Sequence, residues 1–414
     1  MLTGLLEASG LTPLESVPEA VAAHAAAAGF DGVLIYLADV QRCVLRLLAG
    51  TGSNAAPREE AGDVAELRIE GTVPGRAYQY GQLLPAAEKH RDDGYLWWVP
   101  LVNGTERIGL LRIRTSRGDD HARRDMQHLS TLVALIIVSK RGHSDSHARL
   151  VRTEAMNVAA EMQWHLMPPR TYADSRVVIA ASMEPAYQIS GDAYDYATAG
   201  DVVHLSIFDA MGHDTAAGLT ANLAMGACRN HRRQGAGLTE LGEAIEEVLL
   251  EQFGRSRYAT GILAELDTRT GVLSWVNRGH HPPVIIRGGR WTTQLNCQPA
   301  HPMGTGLGLK SVLCREQLEP GDRIVFYTDG ITEARSPAGR EFGLTRFTDF
   351  LIRHHADNLP VPETLRRLVH AVVDYHHGQL QDDAAVLLCE WLGSYPDDLG
   401  PAAALAGLPD RPGK

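Results

Sequence analysis

Cysteine is scarce in this chain, and its spacing is not that of a metal site. The five cysteines among 414 residues are Cys43, Cys228, Cys297, Cys314 and Cys389. They are scattered and odd in number, which argues against both a zinc site and a disulfide framework. We therefore predict reduced thiols and a cytoplasmic setting.

Long apolar runs and positive charge are also in short supply. The longest apolar run, 132–138, falls far short of the ~20 residues that a membrane helix needs. The N-terminus, Met1-Leu2-Thr3-Gly4, lacks the basic lead and apolar core of a secretory signal. A net charge of -11 argues against nucleic acid or an anionic membrane as the main partner. These absences predict a soluble protein with no membrane span and no nucleic-acid partner.

The composition supplies enough core for more than one domain. Apolar residues make up 44% of the chain and charged residues 21%, and the length favours two or three domains. Residues 10–140 show a helical pattern over 12–28, strands at 32–37 and 43–48, a short helix from Gly71, and a hairpin. That hairpin joins strands at 95–101 and 108–113 and turns at Asn103-Gly104.

A helical pattern follows over 121–167, with a possible interruption at 142–145. Beyond it, an apolar seam recurs at spacings of three and four: Val151, Ala155, Val158, Met162 and Leu166. The seam fits a helix packed on the next domain, and it equally fits a parallel coiled coil that joins two subunits. Pro168-Pro169 must end this helix, so residues 141–169 are predicted to be a helical linker.

The stretch 190–214 carries the strongest chemical signal. Two strand-like runs flank Gly200-Asp201, a two-residue loop typical of a hairpin. This register places Asp192 directly opposite Asp209, although like charges facing each other destabilise a sheet. We therefore predict that a divalent cation lies between the two carboxylates.

Two further acids occupy similar positions. Asp329 follows a buried strand in Tyr327-Thr328-Asp329-Gly330, and Asp382 precedes the last strand, 384–391. Carboxylates without accompanying His or Cys favour Mg²⁺ or Mn²⁺ over Zn²⁺. Two such ions can activate water and hold phosphoryl oxygens, so the pattern predicts metal-assisted hydrolysis of a phosphate ester.

Residues 150–392 resemble the metal-dependent serine/threonine phosphatase (PPM) family, specifically its sporulation stage II E group. Six motifs match, and they occur in the family's order. They are Met162-Gln163 together with 166–169; Gly191-Asp192 together with Tyr194-Asp195; Asp209 together with 211–213; Asn277 together with 279–280 and 282–283; residues 327–334; and Asp382-Asp383. The resemblance implies an α+β fold in which a β-sandwich of two antiparallel sheets is flanked by helices, over residues 170–392. It also implies two Mn²⁺ or Mg²⁺ ions.

The resemblance also assigns the catalytic residues and metal ligands. These are Asp192 and Asp209, shared by both metals, the Ala210 carbonyl, and Asp329 and Asp382 on the second metal. The implied substrate is phosphoserine or phosphothreonine on an anti-sigma-factor antagonist. The helix that ends at Pro168-Pro169 matches a switch element of such enzymes, and a homodimer is expected.

Residues 10–140 resemble a GAF-type sensory domain, through Gly71 to Gly75 ahead of Gly81, and through Pro100-Leu101 and Gly109 to Leu111. This implies a pocket for a small molecule or a partner that controls the phosphatase through the linker, or alternatively a domain that serves only for dimerisation. The tail, 393–414, is rich in Pro, Gly, Ala and Asp and is predicted to be disordered.

Two departures from the phosphatase pattern leave an alternative open. Ser190 and Ala210 stand where the family usually has Gly, and the Ala210 methyl could alter the backbone beside the ligating carbonyl. The chain could therefore be a weakly active or inactive signalling scaffold that binds its partner. A calcium-binding module fits less well, because the acids are scattered along the chain. Asp214 is predicted to be a helix cap, Asp383 a possible assistant at the rim, and His213, His280 and His281 structural residues.

Overall fold

The computed structural model describes residues 1–50, 64–86, 94–188, 190–357, 359–376, 380, 382–394 and 400–408. The chain folds into two compact units. One comprises Met1–Ala155, to which residues 407–408 also belong, and the other comprises Met156–Ala406.

The N-terminal unit is an antiparallel sheet with helices. Its helices are α1 (Leu2–Ser9), α2 (Val17–Ala25), α3 (Val73–Tyr80), α4 (Asp120–Arg141) and α5 (Asp145–Val151). Its strands are β1 (Phe30–Ala38), β2 (Val44–Leu47), β3 (Glu66–Arg68), β4 (Leu84–Pro85), β5 (Tyr95–Asn103) and β6 (Glu106–Thr115). The strand order is β3-β2-β1-β6-β5-β4.

Each face of this sheet is covered by its own apolar cluster. Ile35, Leu111 and Ile113 pack with α2 and α4 residues such as Val21 and Leu129 on one face. Tyr36, Trp98 and Leu110 pack with Ala77 and Tyr78 of α3 on the other. The predicted strands and the short helix after Gly71 are present, whereas α1 was not predicted. Residues 51–63, between β2 and β3, lie outside the described residues.

The predicted helix over 121–167 is broken twice. The expected interruption is present, since α4 ends at Arg141 and α5 starts at Asp145. A second break, over 152–157, precedes α6 (Val158–Leu166). The prediction of one seam is therefore wrong, because Val151 and Ala155 are not on the helix that carries Val158, Met162 and Leu166. The predicted linker is divided between the two units.

The C-terminal unit contains two antiparallel sheets and their flanking helices. Its remaining helices are α7 (Thr215–Arg233), α8 (Leu238–Phe253), α9 (Asp329–Thr332), α10 (Gly343–Ala356), α11 (Val361–Tyr375) and α12 (Gly400–Ala406). Its strands are β7 (Thr171–Ala173), β8 (Val177–Glu184), β9 (Asp192–Ala199), β10 (Val202–Ala210), β11 (Ala259–Asp267), β12 (Val272–Arg278), β13 (Val284–Arg287), β14 (Trp291–Gln294), β15 (Cys314–Gln317), β16 (Arg323–Tyr327) and β17 (Ala384–Trp391).

The two sheets enclose one apolar core, as predicted. Their strand orders are β15-β12-β11-β10-β9 and β14-β13-β16-β17-β8-β7. Leu205 and Ile262 of the first sheet share a cluster with Ile179 and Leu387 of the second. Helices α7 and α8 bury Met225 and Ile245 against the outer face of the first sheet. Every residue of β17 is buried, which explains its nearly unbroken apolar sequence.

Helix α7 begins where the sequence predicted. The Asp214 side chain accepts a hydrogen bond from the Ala217 N–H at 2.8 Å, which makes Asp214 the N-cap. The carboxylate also pairs with Arg257. Asp214 is therefore committed to the helix start.

The expectation of five reduced thiols is wrong for two of them. Cys297 and Cys314 form a disulfide with Cα atoms 5.9 Å apart, while Cys43, Cys228 and Cys389 are thiols. Cys314 begins β15, an edge strand that the sequence analysis missed, and Cys297 follows β14, the edge strand of the other sheet. Only the packing of the two sheets brings the cysteines together.

The tail contains regular structure that was not expected. Helix α12 buries Ala402 and Ala406, whereas the predicted disorder at 395–399 and 409–414 falls outside the described residues. Among the helices of the described part of the chain, none combines the length and apolarity needed to span a membrane.

Candidate metal centre

The facing pair of aspartates is present as predicted. Strands β9 and β10 are joined by the two-residue loop Gly200-Asp201, and their register pairs Asp209 with Asp192. The two carboxylates repel each other, Asp192 in a buried position and Asp209 in a half-buried one. Burial, followed by repulsion from Asp209 and Asp383, raises the pKa of Asp192 well above its usual range. Burial, followed by repulsion from Asp329, Asp382 and Asp383, raises the pKa of Asp209 to about 7.

The two later acids face the same site from the second sheet. Asp329 begins α9 directly after β16, and Asp382 precedes β17, the strand paired with β16. Burial and then the charge of Asp382 raise the pKa of Asp329. The four predicted acids therefore converge on one rim of the sandwich.

Asp383 is a fifth acid at this rim, and the sequence analysis gave it too little weight. It is 5% exposed, and its carboxylate accepts the Gly191 N–H. Burial raises the pKa of Asp383 to about 6, although the Gly191 bond opposes this. Asp382, by contrast, is exposed. An Asp-Asp pair alone does not reveal which carboxylate is directed inwards.

Ser190 and Ala210 fit the site without distortion. The buried Ser190 hydroxyl accepts the Asp192 N–H at 2.9 Å. Ala210 lies in regular strand backbone, and its methyl group packs in the apolar cluster that α7 and α8 form with the first sheet. No glycine is therefore needed there. Glycine is needed at Gly191, where a Cβ would lie 2.5 Å from the Gly212 oxygen and 2.7 Å from the Ala210 oxygen.

The Ala210 carbonyl is suited to bind a cation. The Ala210 N–H donates to the Gly191 oxygen at 2.9 Å, whereas the Gly191 N–H is directed to Asp383 rather than back to Ala210. The hydrogen-bond ladder between β9 and β10 thus ends at Ala210, and the Ala210 carbonyl lies beside the carboxylates.

Thr328 orients Asp192, which the sequence analysis did not foresee. Its hydroxyl donates to Asp192 Oδ2 at 2.6 Å and accepts the Ala385 N–H at 2.8 Å. This bond favours the charged carboxylate and opposes the rise in the pKa of Asp192.

We expect Thr328→Val to weaken Mn²⁺ binding by about 10–100-fold, because a partner of a metal-ligating carboxylate is lost. Calorimetric titration of Mn²⁺ into the metal-free chain measures this. Thr328→Ser keeps the hydroxyl and should bind within about threefold of wild type. Equal affinities for the Val and wild-type chains would show that Thr328 has no such role.

Gln163 joins α6 to the same strand end. This buried side chain donates to the Ser190 oxygen at 3.0 Å and to the Asp192 oxygen at 2.7 Å, and it accepts the Ser190 N–H at 3.3 Å. The backbone that carries Asp192 is therefore held by a residue nearly thirty positions earlier. The phosphatase resemblance pointed to Met162-Gln163, but not to this contact.

Gln163→Ala should lower metal-dependent turnover by about 10–100-fold, because it leaves buried backbone groups unpaired and releases Asp192. Raising the Mn²⁺ concentration should recover part of the loss. His165→Ala on the same helix, at an exposed position, is the control and should keep full turnover. A fully active Gln163→Ala chain would contradict the role given to this contact.

The histidines divide into two groups. His280 is buried between Thr260 and the Tyr327 carbonyl, and burial lowers its pKa to about 4, so it is a neutral structural residue as predicted. His281 is exposed and lies with Asp329 and Glu333, their ligand atoms within 4.8 Å of one another. The prediction of a purely structural His281 omitted this proximity.

The donor set fits hard divalent cations. Asp192, Asp209, Asp329, Asp382, Asp383 and the Ala210 carbonyl all offer oxygen, which Mg²⁺ and Mn²⁺ prefer. Burial and then repulsion by neighbouring acids raise the pKa values of Asp209 and Asp383, and a bound cation would oppose both effects by favouring the charged carboxylates.

Comparison with known proteins finds a family match over most of the segments that carry these acids. The family model described as Stage II sporulation protein E (SpoIIE) matches residues 199–392. The match includes Asp209, Asp329 and Asp382 and begins shortly after Asp192.

Two curated relatives are similar at low identity. Protein IcfG of Synechocystis sp. is 25% identical over 244 residues, 51% of this chain and 37% of IcfG. Phosphoserine phosphatase RsbU of Bacillus subtilis is 23% identical over 240 residues, 56% of this chain and 69% of RsbU. The chain thus spans little more than a third of IcfG.

Among solved structures, the SiaA-PP2C domain of Pseudomonas aeruginosa is 21% identical with a TM-score of 0.48, over 56% of this chain and 94% of that domain. The match to the family model falls within the C-terminal unit and covers four of the five acids of its rim, Asp209, Asp329, Asp382 and Asp383. Residues 199–392 of the C-terminal unit are therefore similar to the SpoIIE family.

Proposed function

We propose that the C-terminal unit is a Mn²⁺- or Mg²⁺-dependent phosphatase that hydrolyses phosphoserine or phosphothreonine on a regulatory protein. One observation carries this proposal: Asp192 and Asp209 face each other at the rim where Asp329, Asp382 and Asp383 also converge. Five carboxylates in one place are costly for a fold unless cations bind there.

The chain's own residues would hold and orient the ions. Asp192, Asp209, the Ala210 carbonyl, Asp329 and Asp382 are the proposed ligands of two ions, and Asp383 keeps the Gly191 backbone in place. When bound, such ions supply Lewis-acid activation of water and charge stabilisation of the phosphoryl group. Thr328 and Gln163 keep Asp192 in position, so the site is preorganised before a substrate arrives.

The substrate and its control extend the proposal. RsbU is named a phosphoserine phosphatase, and we propose that this chain acts on a phosphorylated anti-sigma-factor antagonist. We further propose that the N-terminal unit is a GAF-like sensory domain, that it senses a small molecule or a partner protein, and that the chain works as a homodimer.

A metal titration tests the enzymatic proposal. The full chain, freed of metal, should hydrolyse an aryl phosphate and a phosphoserine protein only after Mn²⁺ or Mg²⁺ is added. Ca²⁺ at equal concentration is the comparison, since it distinguishes catalysis from mere cation binding. A chain that binds Mn²⁺ yet cleaves neither substrate would be the signalling scaffold instead.

A further inference from the structure

We propose that the Cys297–Cys314 disulfide is a site of thiol–disulfide exchange with a dithiol reductant, and that its reduction lowers activity at the metal centre. This inference rests on the proposed phosphatase function, whose regulation it describes. We call this bond the edge disulfide, because it joins the edges of the two sheets.

The edge disulfide joins the two ends of a loop, residues 298–313, at its base. Cys297 and Cys314 are separated by 17 positions. Cys297 follows β14, at the edge of one sheet, and Cys314 starts β15, at the edge of the other. β15 is paired with β12 through four residue pairs, of which Trp275 with Cys314 is the last. Without the bond, this end of β15 keeps that short ladder and the packing of Cys314 against the apolar core.

The loop passes from the edge disulfide to the strand behind the metal centre. The N–H and carbonyl groups of Met303 exchange two hydrogen bonds of 2.8 Å with Ala259. On its other side, Ala259 pairs with Ala210, whose carbonyl is a proposed ligand. Ala259 is thus held between the loop and the metal-binding strand.

Further contacts tie the loop to the same region. The Glu246 carboxylate of α8 accepts the N–H groups of Gly304 and Gly306. The Arg257 backbone lies close to Gly304, since a Cβ added at Gly304 would be 2.7 Å from the Arg257 carbonyl oxygen. The Arg257 side chain donates a hydrogen bond to the Met211 oxygen at 3.1 Å. A change in the loop therefore reaches both Ala210 and the residue after it through direct contacts.

Cys314 is accessible to a reductant. It is partly exposed and lines a cavity of about 380 Å³ together with Trp275, Trp291 and Arg315. Trp291 is 75% exposed, and Arg315 is also exposed. Glu316 lines the cavity with the opposite charge, but Arg315 is next to Cys314 in the chain and offers a cation to an approaching thiolate. Cys297, in contrast, is buried.

The exchange balances without any further reactant. A thiolate of the dithiol attacks Cys314 Sγ and forms a mixed disulfide, while the electron pair of the broken bond passes to Cys297 Sγ, which takes a proton from solvent. The second thiol then closes the reductant's own disulfide and releases Cys314 as a thiolate, which is protonated in turn. The Val312 oxygen, 3.4 Å from Cys297 Sγ, can accept the new thiol's hydrogen bond.

Differential alkylation of the full chain tests whether the exchange occurs, with dithiothreitol as the probe. Before reduction, only the exposed Cys43 should react under native conditions, because Cys228 and Cys389 are buried. After reduction, Cys314 should react as well. The same chain should melt about 6–12 °C lower after reduction, since opening the loop restores freedom to the unfolded state.

Turnover of an aryl phosphate with saturating Mn²⁺ tests the coupling. Reduction should lower kcat/KM at least about threefold, and reoxidation should restore it. The double variant Cys297→Ser with Cys314→Ser should have the turnover of the reduced chain, and dithiothreitol should not change it. Because dithiothreitol can also chelate Mn²⁺, this variant shows whether a loss of turnover comes from chelation. Cys43→Ser is the matched control and should respond like wild type.

Two results would overturn the proposal: an untreated chain with five alkylatable thiols under denaturing conditions, or an active chain whose turnover is unchanged by complete reduction. If even the oxidised chain has no turnover, the proposed function fails, and the coupling is then decided by Mn²⁺ affinity. That affinity should fall at least about threefold on reduction, and an unchanged value would refute the coupling.

Discussion

Replacing Asp209 by asparagine is expected to abolish metal-dependent turnover while making the metal-free chain more stable. The loss should be about 10³-fold or more, because several kcal/mol of transition-state stabilisation depend on bound metal. The gain in stability has the opposite origin. Without a cation, Asp209 is a half-buried charge that faces Asp192 and is repelled by Asp329, Asp382 and Asp383.

The neutral amide removes this repulsion at little cost in volume. At pH 8 the melting temperature of metal-free Asp209→Asn should rise by about 5–10 °C over that of wild type, as measured by thermal unfolding in a chelator. Asp201→Asn, in the turn of the same hairpin, is the matched control. Asp201 forms a salt bridge with Arg176 at the surface, so its loss should change turnover and stability little.

The two readouts separate function from folding. An ordinary structural aspartate would lose stability together with activity, whereas a metal ligand loses activity and gains stability in the metal-free state. An Asp209→Asn chain that is both inactive and less stable without metal would contradict the assignment.

The second large effect is a fall in stability of the metal-free chain as pH rises. Asp209 has an ordinary pKa near 3.8 in the unfolded chain and about 7 in the folded one, and the pKa of Asp383 is raised to about 6. Between these values the folded state binds more protons than the unfolded state. Stability is therefore fully present below pH ~4 and is lost as pH rises through 6 to 7.

The size of this effect is measurable. For Asp209 alone, the rise to about 7 corresponds to on the order of 4 kcal/mol. Because each acid is repelled by the others, the same repulsion enters the raised pKa of more than one acid. The contributions of the acids to the free energy of unfolding therefore do not add. We expect the melting temperature of the metal-free chain to fall by roughly 10 °C between pH 5 and pH 8.

Added Mn²⁺ should reverse the trend, because the cation binds the deprotonated carboxylates and competes with protons for them. Metal-free Asp209→Asn should show a much weaker pH dependence, which makes it the control for other titrating groups. A wild-type melting temperature that stays level or rises with pH in chelator would show that these acids are not strained together in the folded state.

The centre of the site was predictable because its parts are close in sequence. Gly200-Asp201 specifies a two-residue loop, and such a loop determines which residues face each other along both strands. The pairing of Asp192 with Asp209 follows from that register alone. The cap at Asp214 was predictable for the same reason, since it depends only on the next turn of helix.

The groups that orient those acids could not be predicted this way. Thr328 contacts Asp192 from 136 positions away, and Gln163 reaches it from an earlier helix. Both are polar residues in segments whose periodicity reports only helix or strand. Their role depends on side-chain contacts between distant elements, for which periodicity carries no signal.

By itself, the sequence determined the hairpin and its register, the last strand of the C-terminal unit, and the placement of acidic oxygen donors at the ends of strands. These depend on turn chemistry, alternation and local capping, all of which act over a few residues. Only the tertiary structure decided that Asp383 is the buried member of its pair, that Ser190 and Ala210 fit, that the helix over 121–167 breaks at 152–157, and that Cys297 meets Cys314. Each of these depends on how two sheets and their helices pack, and packing is decided by the shape of the whole core rather than by any short segment.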